Sequence, residues 1–166
     1  KELVVSTHGR GMWVAEIGPL QEMTDSLLAQ PAYLFRIAPA LQYRYADTYP
    51  SFGSRPFVSP NPPRGARIVY WLKEAQSGPV NLLITTAAGD TVKALKVPGY
   101  AGLQAATWDL SRDKPRPREK GGPTSTAELK RVLPGDYVVL LTVGKLKMQQ
   151  PVKVQAWPAD TVGWVR

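Results

Sequence analysis

The chain has 166 residues, a formal net charge of +8 and no cysteine. Its length suits one compact domain with an appendage, and the absence of cysteine excludes disulfide frameworks, thiolate zinc sites and cysteine nucleophiles. No apolar run approaches the roughly 20 residues of a transmembrane helix, and no signal-peptide pattern is visible. Because the chain begins at Lys1 without an initiator methionine, we expect a processed or excised piece of a longer protein, whose targeting signal lay in the missing part.

Residues 2–17, ELVVSTHGRGMWVAEI, predict a strand, a tight turn and a second strand. Gly9 and Gly11 supply the φ freedom that a tight turn needs. His8 is the only histidine of the chain. Since a metal site needs several ligands, we expect His8 to order the turn rather than to act as a base or a ligand. An unpaired strand is an association hazard, so we expect the two strands to pair with each other or with a partner.

Residues 18–60 are predicted to form a connector. Pro19 stands at a plausible first helical position, and Thr24 or Asp25 is a plausible N-cap for one or two short helices. Residues 32–37 then predict a strand. A loop-like region with six prolines follows between positions 38 and 65, and a loop of this length is usually functional or wraps a neighbour.

Aromatic side chains in this loop and near the C-terminus are candidate contacts for a protein partner or a glycan. Aromatic faces stack on sugars and anchor protein interfaces. The candidates are Tyr43, Tyr45, Tyr49, Phe52, Trp157 and Trp164. The alternative is that they cover the domain or seal its junction with a neighbouring domain.

From residue 66 onward short strand patterns follow one another. They lie at 66–74, at 79–97 as a hairpin, at 102–111 and at 134–157 as two strands joined at Gly144–Lys145. The segment YVVLLTV is apolar on both faces, which is typical of a central strand, and Pro151 indicates an edge or a bulge. The pattern predicts an all-β protein, an immunoglobulin- or fibronectin-III-like antiparallel β-sandwich preceded by a β-hairpin and a short helical connector.

The densest positive charge is RDKPRPREK, residues 112–120, in which basic residues alternate with prolines and two acids. A nucleic-acid site would be expected to interleave aromatic residues for base stacking, and this segment has none. We therefore predict a solvated, polyproline-like loop, and we do not expect nucleic acid as a partner. A weak capping box, Ser125 to Glu128, follows it.

Two family resemblances cover most of the chain. LVVSTHGRGMWV resembles the closing strand–turn–strand of BNR/sortilin-type β-propellers in secreted bacterial proteins of sialidase-like or glycoside-hydrolase-like type. Residues 61–157 resemble the immunoglobulin-like module related to the C-terminal domain of the flagellar hook-capping protein. That module carries a D-x-x-G hairpin, a G-x-x-x-x-x-W-D strand and a P-x-G-x-Y strand start.

The motifs of the second resemblance are matched incompletely. They stand here as Thr86-Ala87-Ala88-Gly89, which lacks the acid, as Gly102 with Trp108-Asp109, and as Pro134-Gly135-Asp136-Tyr137. We expect Trp108 to fill the core between the sheets, Asp109 to bind backbone at the strand end, and Tyr137 to serve as a tyrosine-corner analogue. The implied division is a blade remnant at 1–17, the connector at 18–60, the sandwich at 61–158 and a tail at 159–166.

Motifs of catalysis are absent from the sequence. It has no GxSxG element, no phosphate-cradling glycine loop, no paired histidines and no spacing that marks a glycosidase acid/base pair. We therefore predict a non-catalytic chain without cofactor or metal; any hydrolase activity would reside in absent propeller blades.

The resemblances imply a structural and protein-interaction module of a bacterial propeller-type protein. Its location would be extracytoplasmic, either periplasmic or secreted, and it would dock to its own propeller or to another subunit of a complex. The alternative is a carbohydrate-binding accessory domain of a BNR-type glycoside hydrolase. A third hypothesis is an enzyme in its own right.

Overall fold

The structure is a computed structural model that describes residues 2–9, 11–42, 64–78, 80–118, 120 and 125–156. Within these residues the chain is built mainly of strands arranged in three sheets, with three short helices. The strands are β1 (Glu2–Ser6), β2 (Met12–Glu16), β3 (Ala32–Leu34), β4 (Ala40–Gln42), β5 (Ala66–Leu72), β6 (Val80–Thr86), β7 (Thr91–Val97), β8 (Gly102–Trp108), β9 (Gly135–Val143) and β10 (Leu146–Ala156). The helices are α1 (Gly18–Glu22), α2 (Asp25–Leu28) and α3 (Thr126–Lys130). The predicted all-β class is confirmed.

The strands divide into sheets of two, five and three. β1 and β2 pair only with each other, antiparallel, which confirms the expected pairing of the N-terminal strands. The five-stranded sheet has the order β4-β10-β9-β6-β7 and curls into a half-barrel. The three-stranded sheet has the order β3-β5-β8. β9, which contains YVVLLTV, is the middle strand of the five, as its two apolar faces predict.

One hydrophobic core joins the five-stranded and the three-stranded sheets. Ile68, Tyr70 and Leu72 alternate along β5 and are fully buried. They belong to the same buried cluster as Val139 and Leu141 of β9. Burial of a large apolar side chain contributes about 1.5–3 kcal/mol, so this shared core is what holds the two sheets together.

A smaller cluster covers the opposite face of β5. Leu27 of α2, Phe35 and Val69 are buried together there, with Trp71 packed against them. α2 begins at its N-cap Thr24, whose Oγ1 accepts a hydrogen bond from Leu27 N at 3.2 Å. This second cover explains why β5 is apolar on both of its faces.

The connector contributes more to the sheets than its sequence indicates. β3 ends at Leu34, short of the strand predicted over 32–37, and β4 lies in the region predicted as a loop. β4 pairs parallel to the end of β10, with Ala40 opposite Val154. This pair departs from the purely antiparallel prediction, because its register is set by contacts between residues more than a hundred positions apart and not by local periodicity.

Two local predictions near the C-terminal strands have opposite outcomes. Pro151 faces Val138 of β9, while β4 reaches β10 only from Val154 onward, so Pro151 occupies the predicted edge position. α3 forms after Ser125, but the Ser125 side chain makes no capping hydrogen bond. The predicted capping box is therefore wrong, and α3 lies against the rest of the fold through Leu129, which is buried.

Candidate interaction surface

The turn between β1 and β2 is closed by Thr7 and Gly11. Thr7 N donates to Gly11 O at 2.8 Å, and Gly11 N donates to Thr7 Oγ1 at 3.2 Å. His8 lies exposed in this turn. Among the described residues the hydrogen bonds that close the turn therefore come from the threonine, and the structure does not give the histidine the ordering role that was expected.

The two glycines of the turn differ in what they contribute. A Cβ on Gly9 would meet nothing within 4 Å, and neither Gly9 nor Gly11 is among the described glycines with a positive φ, so the φ freedom expected of both stays a prediction. A Cβ on Gly11 would lie 3.0 Å from Thr7 Oγ1. Gly11 is therefore suited to its position because it lets the threonine hydroxyl approach the backbone N–H.

The hairpin formed by β1 and β2 exposes apolar side chains on both of its faces. Opposite residues of an antiparallel pair share a face, and successive residues alternate. Val5 stands opposite Trp13, whereas Val4 stands opposite Val14 on the other face. Trp13 is 69% exposed and Met12 73%. The complete apolar set is Leu3, Val4, Val5, Met12, Trp13 and Val14, all exposed.

The hairpin meets the rest of the described chain at its base. Glu16 Oε2 lies 3.6 Å from Arg67 Nη1 of β5, where the Arg67 side chain is 57% exposed and that of Glu16 32%. A surface ion pair of this kind contributes little, about 0–1 kcal/mol. A groove of about 370 Å³ lies beside Glu16, between α1 and residues 36–39, and the Glu22–Arg36 ion pair lines it. Among the described residues, the large apolar side chains of the hairpin are all exposed.

Trp108 fills the core between the two sheets, where the sequence places it. Its side chain is fully buried, and its Nε1–H donates to Ser111 O at 2.9 Å. Gly65 lies directly against the strand end: its φ is +122°, and a Cβ there would come within 1.9 Å of Trp108 O. The close approach requires glycine at this position.

Tyr137 packs edge-on against Trp108, with ring centroids 5.4 Å apart. Its hydroxyl donates to Leu133 O at 2.7 Å, which is the upstream backbone contact of a tyrosine corner. Burial raises the pKa of Tyr137, although nearby Arg112 and Arg116 act in the opposite direction. The residue fixes the start of β9 to the chain that precedes it.

Asp109 closes the turn that follows β8. Its Oδ1 accepts from Ser111 Oγ at 2.7 Å and from Ser111 N at 3.1 Å. Partial burial acts to raise the pKa of Asp109, but the Ser111 hydrogen bonds and the attraction of Lys93 together lower it below its ordinary value. Asp109 therefore acts as the predicted backbone acceptor at the strand end.

The aromatic candidates for partner or glycan contact lie outside the described residues. They are Tyr43, Tyr45, Tyr49, Phe52, Trp157 and Trp164. Their role as contacts remains a prediction.

The described residues bring no metal-binding cluster together. No three acidic or histidine side chains among them are grouped as a metal site requires. In the same part of the chain, no helix has the length and apolar character needed to cross a membrane. The described surface offers apolar side chains on the hairpin and positive charge elsewhere.

Two features of the surface were not recognised as sites from the sequence. The first is the apolar set of the hairpin, for which the run LVV followed by MWV was an available signal. The second is the pair Arg112 and Arg116, which lie half-buried in the segment predicted to be a solvated loop. Local spacing carries no signal for that burial, because it depends on contacts with α3.

A comparison with known protein families found no match to this chain, and comparisons with curated proteins and with solved structures found none either.

Proposed function

We propose that the chain is a non-catalytic structural and protein-interaction module, in which an immunoglobulin-like β-sandwich carries a hairpin that completes a β-propeller blade. The observation that carries this proposal is the exposure of apolar side chains on both faces of the β1–β2 hairpin. The resemblance of LVVSTHGRGMWV to propeller blades supports the same assignment.

The two-sided exposure favours a blade over a flat docking partner. A partner that packs on one face of a hairpin leaves the other face in water. A propeller blade is a four-stranded sheet packed between neighbouring blades, so it covers both faces of its strands. Val4 and Val14 on one face and Val5 and Trp13 on the other both require such cover.

The unpaired edges of the hairpin also support docking to further strands. An isolated two-stranded hairpin is marginally stable in water, and each of its edges presents unpaired backbone N–H and C=O groups. Pairing with further strands satisfies these groups by β-augmentation. The occupant we propose is the set of remaining strands of a β-propeller blade, in the same polypeptide or in another subunit.

The sandwich assignment rests on the core and on one local contact. Two sheets share a single buried cluster, and Tyr137 O–H binds Leu133 O as in a tyrosine corner. From the resemblances we further propose that the parent protein is bacterial and extracytoplasmic, periplasmic or secreted.

Photo-cross-linking tests the docking of the hairpin. A benzophenone amino acid is placed at position 12 or 13, one on each face, in the full-length product of the gene that encodes this chain. We expect both positions to cross-link to strands of a β-propeller, identified by mass spectrometry of the joined peptides. Leu103, which is also apolar and exposed but lies on β8, is the matched control and should give no such product.

The outcomes separate the proposal from its competitors. Cross-links from one of the two positions alone would show a partner that covers one face, which contradicts the blade. Cross-links between two copies of the hairpin would show self-association instead. The absence of any product at positions 12 and 13 would contradict docking altogether.

A further inference from the structure

The segment that follows β8 is fixed to α3 by its backbone. Arg112 N donates to Lys130 O at 2.7 Å, and Arg116 N donates to Leu129 O at 2.9 Å. These bonds tie both arginines to the last turn of α3. The segment is therefore an ordered part of the surface, and the two arginine side chains start from fixed backbone positions.

The Nε atom of each guanidinium group is withdrawn from water and has no partner in the part of the chain that the structure describes. The Nε atoms of Arg112 and Arg116 are buried, and neither forms a hydrogen bond with any described residue. Neither side chain belongs to an ion pair among those described, which join Arg36 with Glu22, Arg67 with Glu16 and Lys93 with Asp113. Arginine stays charged at all physiological pH values, and a buried donor without an acceptor costs free energy.

The acids that flank Arg112 are engaged elsewhere. Asp109 accepts two hydrogen bonds from Ser111. Asp113 accepts from Ala94 N at 3.0 Å and lies 3.5 Å from Lys93 Nζ. Neither carboxylate forms an ion pair with Arg112 or Arg116 among the described contacts.

Arg112 and Arg116 both influence the same group, the hydroxyl of Tyr137. Both exert a positive field on the Tyr137 hydroxyl, which is already committed to Leu133 O. The hydroxyl cannot donate to a second acceptor, so it does not compete with the guanidinium groups for an incoming anion. The rim adds exposed positive charge at Lys114, Arg118 and Lys130.

We propose that Arg112 and Arg116 form a binding site for the carboxylate of an acidic protein segment. A guanidinium pairs with a carboxylate through two parallel hydrogen bonds, and because the Nε atoms are closed to solvent, the carboxylate would bind through the Nη–H groups. A protein segment is favoured over nucleic acid because the aromatic side chains nearest the pair, Trp108 and Tyr137, are buried. They present no face on which bases could stack.

The test compares two double variants with equal loss of charge. The probe is a glutamate-rich decapeptide, and binding is measured by calorimetry at physiological salt. We expect Arg112→Gln/Arg116→Gln to weaken binding by at least about tenfold, because hydrogen bonds to charged groups are among the stronger ones. Lys147→Gln/Lys153→Gln removes two exposed charges from β10 and should leave binding within about twofold.

Two further measurements keep the test decisive. The Nε–Hε NMR signals of Arg112 and Arg116 in the unaltered protein should shift on addition of the peptide, which needs no variant to fold. Arg112→Lys/Arg116→Lys keeps the positive charge but lacks the paired N–H groups of a guanidinium. It should recover less than half of the binding free energy lost in the double glutamine variant. Equal weakening in the glutamine variants of both sites would overturn the proposal, as would unshifted Nε signals or tighter binding of a single-stranded oligonucleotide than of the peptide.

Discussion

The β1–β2 hairpin and the β6–β7 hairpin are made of similar residues but are buried differently. In β6 the side chains of Val80, Leu82 and Ile84 are buried, while Asn81 between them is exposed. In β1 three consecutive apolar residues, LVV, are all exposed. The β6–β7 hairpin alternates buried and exposed side chains and packs onto the core of its own domain. The β1–β2 hairpin carries large apolar side chains on both faces, and all of them are exposed.

The difference follows from the pleat of a strand. Because successive side chains point to opposite faces, alternation requires one covered face, and a continuous apolar run requires two. β9 and β5 also carry apolar runs, and each has cover on both faces or a central place in its sheet. By the same physical rule we propose that strands of a partner complete the N-terminal hairpin.

The largest expected effect contrasts the tryptophans of the two regions. Trp108→Ala removes a fully buried side chain and should lower the free energy of unfolding by about 3–5 kcal/mol. Trp13→Ala removes a side chain that is 69% exposed and should change it by less than about 0.5 kcal/mol. Urea unfolding of both variants, followed by circular dichroism, measures the two changes.

This pair of variants tests most directly whether the core region and the N-terminal hairpin differ in burial. A loss on Trp13→Ala close to that on Trp108→Ala would mean that the hairpin packs against its own domain. Trp13 would then no longer belong to a surface that awaits a partner.

A second, smaller effect tests how the start of β9 is held in the core region. Tyr137→Phe keeps the ring on Trp108 and removes the hydrogen bond to Leu133 O. We expect the free energy of unfolding at pH 7 to fall by about 1 kcal/mol. Tyr100→Phe, at an exposed tyrosine, is the control and should have no measurable effect.

The pH dependence of the same variant has a defined sign. Burial raises the pKa of Tyr137 in the folded state above its ordinary value of 10.0. The unfolded chain therefore releases its proton first, and stability is lost as the pH rises from about 10 through the folded pKa. The gap between the unaltered protein and Tyr137→Phe should narrow over that range. A constant gap would show that the hydroxyl is not protected by burial.

Much of the core region was predictable from the sequence because its signals are local. The apolar run of β9 indicated a central strand, the alternation of Val80, Leu82 and Ile84 indicated a hairpin, and Thr24 was one of two candidate N-caps for α2. Trp108 was placed in the core as the bulky residue of the G-x-x-x-x-x-W-D strand that carries one of the family resemblances. Each of these signals lies within about ten residues.

The parts that were missed depend on distant contacts. β4 has three residues and owes its existence to pairing with Val154–Ala156 of β10. Arg112 and Arg116 are half-buried and their backbone N–H groups bind the end of α3, which the spacing of RDKPRPREK does not reveal. The hairpin was recognised as needing a partner, but the two-sided exposure that defines its surface requires the register of Val4 with Val14 and of Val5 with Trp13.

The smallest expected effect concerns Asp109, at the rim of the core. Its lowered pKa means that its contribution to stability is present above the ordinary carboxyl pKa of 3.8 and is lost as the pH falls through the folded value. Asp109→Asn still offers an oxygen to Ser111 but lacks the charge that attracts Lys93. We therefore expect a loss at pH 7 smaller than that of Tyr137→Phe, shrinking as the pH falls from 3.8 through the lowered folded pKa when urea midpoints are compared. Asp136→Asn, at an exposed position of β9, controls for the charge change. If Asp136→Asn reproduced the pH profile of Asp109→Asn, the loss of one negative charge would explain the effect. The hydrogen bonds of Asp109 to Ser111 would then not be its source.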